Sequence, residues 1–172
     1  PVQLREVLDK LDDNSKASIP GMYFGLMFDQ DELKIDECFD GGQPYLMSAV
    51  RIQYDEELND YSLYESYVDN MSIRKGRYFT KEEYASDENL VVLPSGAKDD
   101  MIGKNVELLG KSYKVIGIFG NTVQEEFQVP FKTLGDNCTI SSISFLDDNA
   151  LDTESFFKLK KAFSEVLTCN VN

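Results

Sequence analysis

The chain has 172 residues, with 17 Lys and Arg against 31 Asp and Glu, a formal net charge of −14 at pH 7, and no histidine. The lack of histidine excludes Ser-His-Asp and Cys-His nucleophile systems and His-ligated zinc, and the negative charge disfavours nucleic acid as a partner. A chain of this length folds without a disulfide or a metal, and we expect no cofactor.

An amphipathic helix is predicted at the start of the chain, over residues 2–13. Apolar residues recur there at helical spacing with charges between them: Leu4, Val7, Leu8 and Leu11. Residues 22–29 follow as an apolar run typical of a buried strand. The acidic residues 29–40 predict a loop or an edge strand.

A second strand and a second helix are predicted next. Residues 45–54 follow the break at Gly41-Gly42 and predict the strand. Residues 55–70 predict the helix, because apolar side chains recur at helical spacing: Leu58, Tyr61, Tyr64 and Val68. Tyrosines concentrate here, and they suit either the core face of a helix or a partner surface made of Tyr61, Tyr64 and Tyr67.

The centre of the chain predicts a helix cap and a hairpin. Thr80 and Glu83 have capping-box spacing, which indicates a short helical turn after Thr80. Residues 90–93 predict a strand, and residues 95–101 a short helix or turn. Two alternating apolar runs then flank the turn at residues 109–112, which is the pattern of a half-buried β-hairpin.

The last third of the chain predicts two strands and a helix. Residues 126–129 give a short strand before Pro130, residues 139–146 a longer one, and residues 153–168 an amphipathic helix. Helices at both ends and strands between them indicate an α+β fold with a mixed sheet. We expect a single domain over residues 1–172, with two lobes as an alternative: residues 1–70 with 121–172, and residues 71–120.

Patterns that carry catalysis or metal binding are missing or incomplete. The acidic run after Asp29 fails the EF-hand pattern because Leu33 and Lys34 occupy its fifth and sixth positions. Gly103-Lys104 precedes a strand and not a helix, so it is no phosphate loop. The cysteines are too far apart for a zinc ribbon or a redox pair, and either one disulfide or buried thiols remain open: Cys38, Cys138 and Cys169.

Three short motifs appear in a distinctive order between residues 71 and 119. They are a turn at Gly76-Arg77 with Phe79, a turn at Ile102-Gly103-Lys104, and a closing strand at Val115-Ile116-Gly117. This order resembles the extracytoplasmic core domain of MacB-like and FtsX-like ABC transporter permeases. Residues 126–134 also resemble that family's late segment, in which a strand enters Val-Pro-Phe/Tyr. The resemblance implies that the nine motif residues maintain the fold and are not catalytic.

The resemblance further implies where the domain works and with what. It would lie on the extracytoplasmic face of the bacterial cell membrane, within a multi-pass protein whose membrane helices couple to the helices at residues 2–13 and 153–168. Pro1 in place of Met fits a segment of such a longer chain.

Its implied partners are a cytoplasmic ABC ATPase and a second permease protomer. The implied cargo is a peptide, such as an antimicrobial peptide, a lipoprotein or another amphiphile, and the negative charge favours a cationic one. The alternatives are a freestanding cell-surface binding or adhesion module and, as a third class, a hydrolase that uses carboxylates alone.

Overall fold

A computed structural model describes residues 21–29, 33–41, 47–55, 57, 60–63, 72–120, 126–133, 138–145, 157, 160–161 and 170–171. Those residues include eleven strands in two sheets, a short α-helix at Lys81–Ala85, three 3-10 turns, and helical residues at 157, 160 and 161. The predicted α+β class is confirmed. The helix predicted over residues 2–13 lies outside the described part of the chain.

The first sheet, called sheet A, has the strand order β11-β10-β1-β3-β4, with β9 paired to β3. Its central strand β1 is antiparallel to both β3 and β10. On the other side of β3, β4 is antiparallel and β9 is parallel to it. The bounds are β1 Gly21–Phe28, β3 Met47–Asp55, β4 Asp60–Leu63, β9 Glu126–Phe127, β10 Cys138–Phe145 and β11 Asn170–Val171.

The helix predicted over residues 55–70 is wrong where the structure describes that stretch. Asp60–Leu63 is the strand β4, and Tyr61 pairs with Tyr54 of β3. The alternation of Tyr61 and Leu63 matches that of Tyr54 and Ile52, so a hairpin pairs all four positions. Tyr61 is thus a strand residue, whereas Tyr64 and Tyr67 lie outside the described residues.

A crossover connects β10 to β11. These strands are parallel, at Ser142↔Asn170 and Ile143↔Val171, so the chain must cross over the sheet between them. Phe157, Lys160 and Lys161 are helical and exposed, and they fall within the helix predicted over residues 153–168. These helical residues are followed by a strand, β11, which the sequence did not predict.

The second sheet, called sheet B, has the order β2-β7-β8-β5, with β6 paired to β8. Its longest strand β8 is antiparallel to β7 and β5 and parallel to β6. The strand β6 and the second half of β8 are apolar and almost fully buried, which is typical of strands covered on both faces, whereas β7 alternates between exposed and buried residues. The bounds are β2 Leu33–Lys34, β5 Ile73–Gly76, β6 Leu90–Leu93, β7 Asn105–Leu108 and β8 Lys111–Phe119.

The predicted hairpin between β7 and β8 is confirmed, with a tighter turn than expected. Only Leu109 and Gly110 form the loop, and both have positive φ, 53° and 78°. Two-residue loops with positive φ at both positions match the twist of the flanking strands. Leu109 is an unusual residue there, but its side chain is only 4% exposed, so its burial offsets the cost of the left-handed backbone.

Gln128 joins the two sheets. Its N–H donates to the carbonyl of Val92 in β6 and its carbonyl accepts from the N–H of Val92, both at 2.9 Å. Gln128 directly follows β9, which belongs to sheet A. Sheet B also takes β2 from residues 33–34, so hydrogen bonds cross both boundaries of the segment 71–120. The division into lobes stays a prediction.

Candidate functional site

The three sequence motifs between residues 71 and 119 meet at one place in sheet B. Gly76 of β5 pairs directly with Gly117 of β8, and the Arg77 N–H donates to the Ile116 carbonyl at 3.0 Å. A Cβ atom on Gly76 would overlap the Ile116 oxygen and lie 2.9 Å from Cδ1 of Ile102. A Cβ on Gly117 would overlap the carbonyl oxygen of Arg77. The two backbones therefore approach more closely than any side chain allows.

The Ile102-Gly103-Lys104 turn is bonded to the same strand. The Gly103 N–H donates to the Val115 carbonyl, and the Val115 N–H donates to the Lys104 carbonyl, both at 2.9 Å. Gly103 has φ +84°, but a Cβ there would meet nothing within 4 Å. The Lys104 ammonium lies 3.1 Å from Asp100 at the surface. We call Gly76, Ile102, Gly103, Ile116 and Gly117 the glycine junction.

We propose that the nine motif residues maintain the fold. The glycine junction supports this role, since its contacts run between backbone groups and apolar side chains. Arg77 and Phe79 attach the neighbouring helix, and Val115 and Lys104 supply the strand-to-turn hydrogen bonds. Sequence order alone did not show that the three motifs touch.

Arg77 holds the short helix α1 (Lys81–Ala85) to the glycine junction. Its guanidinium donates to both carboxylate oxygens of Glu83, at 2.7 and 2.8 Å. The predicted capping box is confirmed: the Thr80 N–H donates to Glu83 at 3.0 Å, and the Glu83 N–H donates to the Thr80 hydroxyl at 3.2 Å. Glu83 thus accepts from both a cap and an arginine, which fixes the direction of α1.

Replacing Glu83 by glutamine is expected to lower stability in a pH-dependent way. The hydrogen bonds from Arg77, and then that from Thr80, hold the pKa of Glu83 below its ordinary value, against the opposing effect of burial. A lowered pKa contributes stability above the pKa of the unfolded chain, and this contribution is lost as pH falls through the folded pKa. We expect Glu83→Gln to cost about 1 kcal/mol near neutral pH and progressively less in acid. Urea unfolding of both proteins across pH measures this, and a constant difference contradicts it.

An aromatic cluster backs the first motif. Phe79 is 6% exposed and packs edge-on against Tyr84 of α1 and against Tyr78, with ring centroids 5.6 and 5.2 Å apart. Tyr78 in turn packs against Phe119 of β8, and its hydroxyl donates to the side chain of Gln128. Phe79 therefore links Tyr84 of α1 to sheet B through Tyr78, whose ring packs on Phe119.

The basic run Arg74, Lys75 and Arg77 is engaged within the domain. The Arg74 guanidinium bonds Asp99 and the carbonyls of Ser95 and Ala97, the latter at 2.7 Å. Lys75 lies 4.0 Å from Asp99. These contacts tie the loop before the second motif to the edge strand β5, so this run gives no open anion-binding patch.

The segment after Pro130 is fastened to the hairpin. The Tyr113 hydroxyl lies 3.1 Å from the Thr133 hydroxyl, and the Lys111 ammonium donates to the Thr133 carbonyl at 2.5 Å. The Thr133 hydroxyl donates to the Pro130 carbonyl at 2.7 Å. This is the segment whose sequence resembled the family's late motif, and it docks against the strand that carries the third motif.

Cys38 is a buried free thiol. Burial raises its pKa to about 11, and the nearby Lys98 opposes this only in part. In a Cys138→Ser/Cys169→Ser background, we expect Cys38 in the folded domain to react with a disulfide reagent about 100-fold or more slowly than in urea, because the thiolate is the nucleophile. Comparable rates in the folded and unfolded protein would contradict burial of the thiol.

The described residues contain neither a cluster of metal-ligating side chains nor a helix that could cross a membrane. No group of three or more acidic, histidine or cysteine side chains there is arranged to hold a metal ion. Across the same described ranges, no helix is long and apolar enough to span a bilayer.

Comparisons with known proteins point to one family. The family model of the MacB-like periplasmic core domain matches residues 28–160. Among solved structures, the periplasmic region of MacB from Actinobacillus actinomycetemcomitans is similar, with 15% sequence identity and a TM-score of 0.42. The match covers 85% of this chain and 64% of the MacB chain. The extracellular domain of the noncanonic ABC-type transporter YknZ from Gram-positive bacteria is also similar, with 14% sequence identity and a TM-score of 0.41. That match covers 94% of this chain and 80% of the YknZ chain.

The chain thus spans somewhat less than two thirds of the MacB periplasmic region. No curated protein matches the sequence. The family match extends over most of the chain and includes all three motifs, so the expected family is confirmed. The chain belongs to the family of MacB-like periplasmic core domains, the periplasmic or extracellular domains of MacB-like ABC transporter permeases.

Proposed function

We propose that this domain is a non-catalytic part of an ABC transporter permease that conveys motion driven by ATP hydrolysis to the outer side of the membrane. Family membership over residues 28–160 is the observation that carries the proposal. ATP is hydrolysed by a cytoplasmic ABC ATPase, and two permease protomers move relative to each other. The result is export or release of a peptide, lipoprotein or other amphiphile.

The contacts within sheet B support a domain that moves as a rigid body. The glycine junction joins two turns to the strand β8 through backbone groups, Arg77 and Glu83 fix α1, and Arg74 fixes the loop at residues 95–99. Rigid bodies transmit displacement with little loss, because packed interiors do not deform continuously. A domain of this kind needs no catalytic group.

The charge distribution favours a cationic cargo, and the negative charge lies almost entirely outside residues 72–120. Residues 72–120 carry 8 Lys and Arg against 7 Asp and Glu, a net charge of +1, whereas the rest of the chain carries 9 against 24, a net charge of −15. Nearly all of the negative field therefore arises outside the glycine junction and its neighbours. Such a field attracts cations and raises their local concentration.

The parent reading frame separates a permease from a freestanding surface module. A permease domain is expected to lie between two apolar stretches of about 20 residues each, long enough to span a bilayer. A frame that carries only a signal peptide and this domain would contradict the proposal. In vesicles containing the full permease and its ATPase, we expect a Gly-Ser linker in place of the domain to abolish export while basal ATP hydrolysis persists; unchanged export would overturn the proposed coupling.

Peptide binding tests the cargo separately. The probe is an amphipathic peptide of lysine and leucine, and the control is the same peptide with glutamate in place of lysine. We expect only the lysine peptide to bind, and its affinity to fall steeply as the salt concentration rises from about 0.02 to 0.5 M, because salt screens exposed charges. Equal binding of both peptides, or binding that does not change with salt, rules out a charge-selected cargo.

A further inference from the structure

The segment from Glu126 to Thr133 belongs to both sheets at once, and we call it the crosspiece. Its first two residues pair with Met47 and Ser48 of β3 in sheet A. The next residue, Gln128, exchanges two backbone hydrogen bonds with Val92 of sheet B, each 2.9 Å long. The change of partner sheet takes place between adjacent residues, so nothing flexible separates the two attachments.

Buried side chains strengthen both attachments. Phe127 is fully buried and packs on Phe28 of β1, with ring centroids 5.6 Å apart, which fastens the crosspiece to sheet A. Gln128 is 3% exposed, and its side chain accepts a hydrogen bond from Tyr78, whose ring packs on Phe119 of sheet B. Buried polar contacts of this kind hold one arrangement, since breaking them leaves a polar group without water.

The far end of the crosspiece is held by sheet B as well. Thr133 is 2% exposed and is bonded by Tyr113 and Lys111 of β8. The 3-10 turn at Phe131–Thr133 also lies against α1, which in turn contacts β4 of sheet A. The crosspiece is therefore attached to sheet A at its first two residues, through β3 and β1, and to sheet B at Gln128 and Thr133.

We propose that the crosspiece couples the two sheets into one cooperative unit, so that a displacement of one sheet is passed to the other. The part of this that concerns a working transporter rests on the proposed permease function. The coupling itself is a property of the folded domain and is measured without transport.

Hydrogen exchange of the backbone amides tests the coupling in the full 172-residue chain. In the parent protein, the slowest amides of β1 and β3 and those of β8 are expected to open with the same free energy, and so to show protection within a few-fold of one another. Phe127→Ala is expected to separate them, so that protection in the two sheets differs by about tenfold or more. Leu33→Ala in β2 is the matched control: it removes a buried side chain of sheet B on a strand that pairs with β7 and not with the crosspiece, and both sheets should lose protection together.

The milder pair Tyr78→Phe and Gln128→Leu keeps the backbone bridge and is read in the same way if Phe127→Ala does not fold. The inference is overturned if amide protection in the two sheets already differs by about tenfold in the parent protein. It is also overturned if the crosspiece variants lower amide protection in both sheets by the same factor, as the control does. The vesicle export assay tests only the proposed permease function, and its outcome leaves the coupling measured by hydrogen exchange unaffected. If the two sheets of the parent protein open separately, only the crosspiece proposal fails, and the permease proposal still stands.

Discussion

Gly76→Ala is expected to destabilise the domain by roughly 3–5 kcal/mol, enough to remove most of the stability of a marginal fold. Two effects add at this position. The backbone has φ +73°, where an L side chain is strained, and the new methyl group would overlap the carbonyl oxygen of Ile116. Neither obstacle relaxes by a change of rotamer. Urea unfolding monitored by circular dichroism gives the free energy of unfolding for each variant.

Two other glycines separate the contributions. Gly103 has φ +84° but open space around its Cβ position, so Gly103→Ala should cost only about 1 kcal/mol, from the backbone alone. Gly117 has no positive φ, but its Cβ would overlap the Arg77 oxygen, so Gly117→Ala should cost about 2–3 kcal/mol, from the overlap alone. Equal costs at Gly76 and Gly103 would show that the close approach does not matter.

Phe79→Ala is the second substitution with a large expected effect, about 3–5 kcal/mol. It removes a ring that is 6% exposed and lies between Tyr78 and Tyr84, so a cavity opens between α1 and sheet B. The near-ultraviolet circular dichroism of the packed tyrosines should weaken together with the free energy of unfolding. Phe79→Leu keeps most of the volume and should cost about 1.5 kcal/mol or less.

Phe157→Ala provides the matched control on the same residue type. The Phe157 side chain is 61% exposed, so its removal should change the free energy of unfolding by no more than about 0.5 kcal/mol. A cost at Phe79 as small as that at Phe157 would mean that the aromatic cluster does not hold α1 in place.

Local signals in the sequence predicted the local structure well. The capping box at Thr80 and Glu83, and the hairpin around Gly110, depend on residues a few positions apart, and the structure has both. The short strand predicted over residues 126–129 likewise corresponds to β9, though its parallel pairing with β3 was not predicted. Patterns of this kind are set by backbone geometry and neighbouring side chains, so they can be read without knowing the rest of the fold.

The failures concern contacts between distant parts of the chain. Residues 55–70 fit both a helical and an alternating pattern, and pairing with Ile52 and Tyr54 decided for a strand at Asp60–Leu63. The crossover from β10 to β11 depends on a two-residue strand that has no sequence pattern of its own. The partner surface proposed for Tyr61, Tyr64 and Tyr67 stays a prediction, although Tyr61 has moved from a helix to a strand.

The candidate site shows the same division. The nine motif residues could be identified from the sequence. Their mutual contact could not, because it depends on the antiparallel pairing of Gly76 with Gly117, which lies 41 residues further along the chain. The crosspiece was equally hidden, because Gln128 in the sequence looks like any polar residue at the end of a short strand. Its burial depends on Val92 and Tyr78, which lie far from it in sequence.

The close approach of Gly76 and Gly117 limits how this protein can change in evolution. What obstructs a side chain at either position is a backbone oxygen, and every amino acid has one, so no second substitution nearby can make room. A buried leucine, by contrast, can be exchanged for another apolar residue when its neighbours adjust in volume. Descendants of this chain can therefore replace much of their core while keeping both glycines, and a short glycine motif can outlast overall sequence similarity.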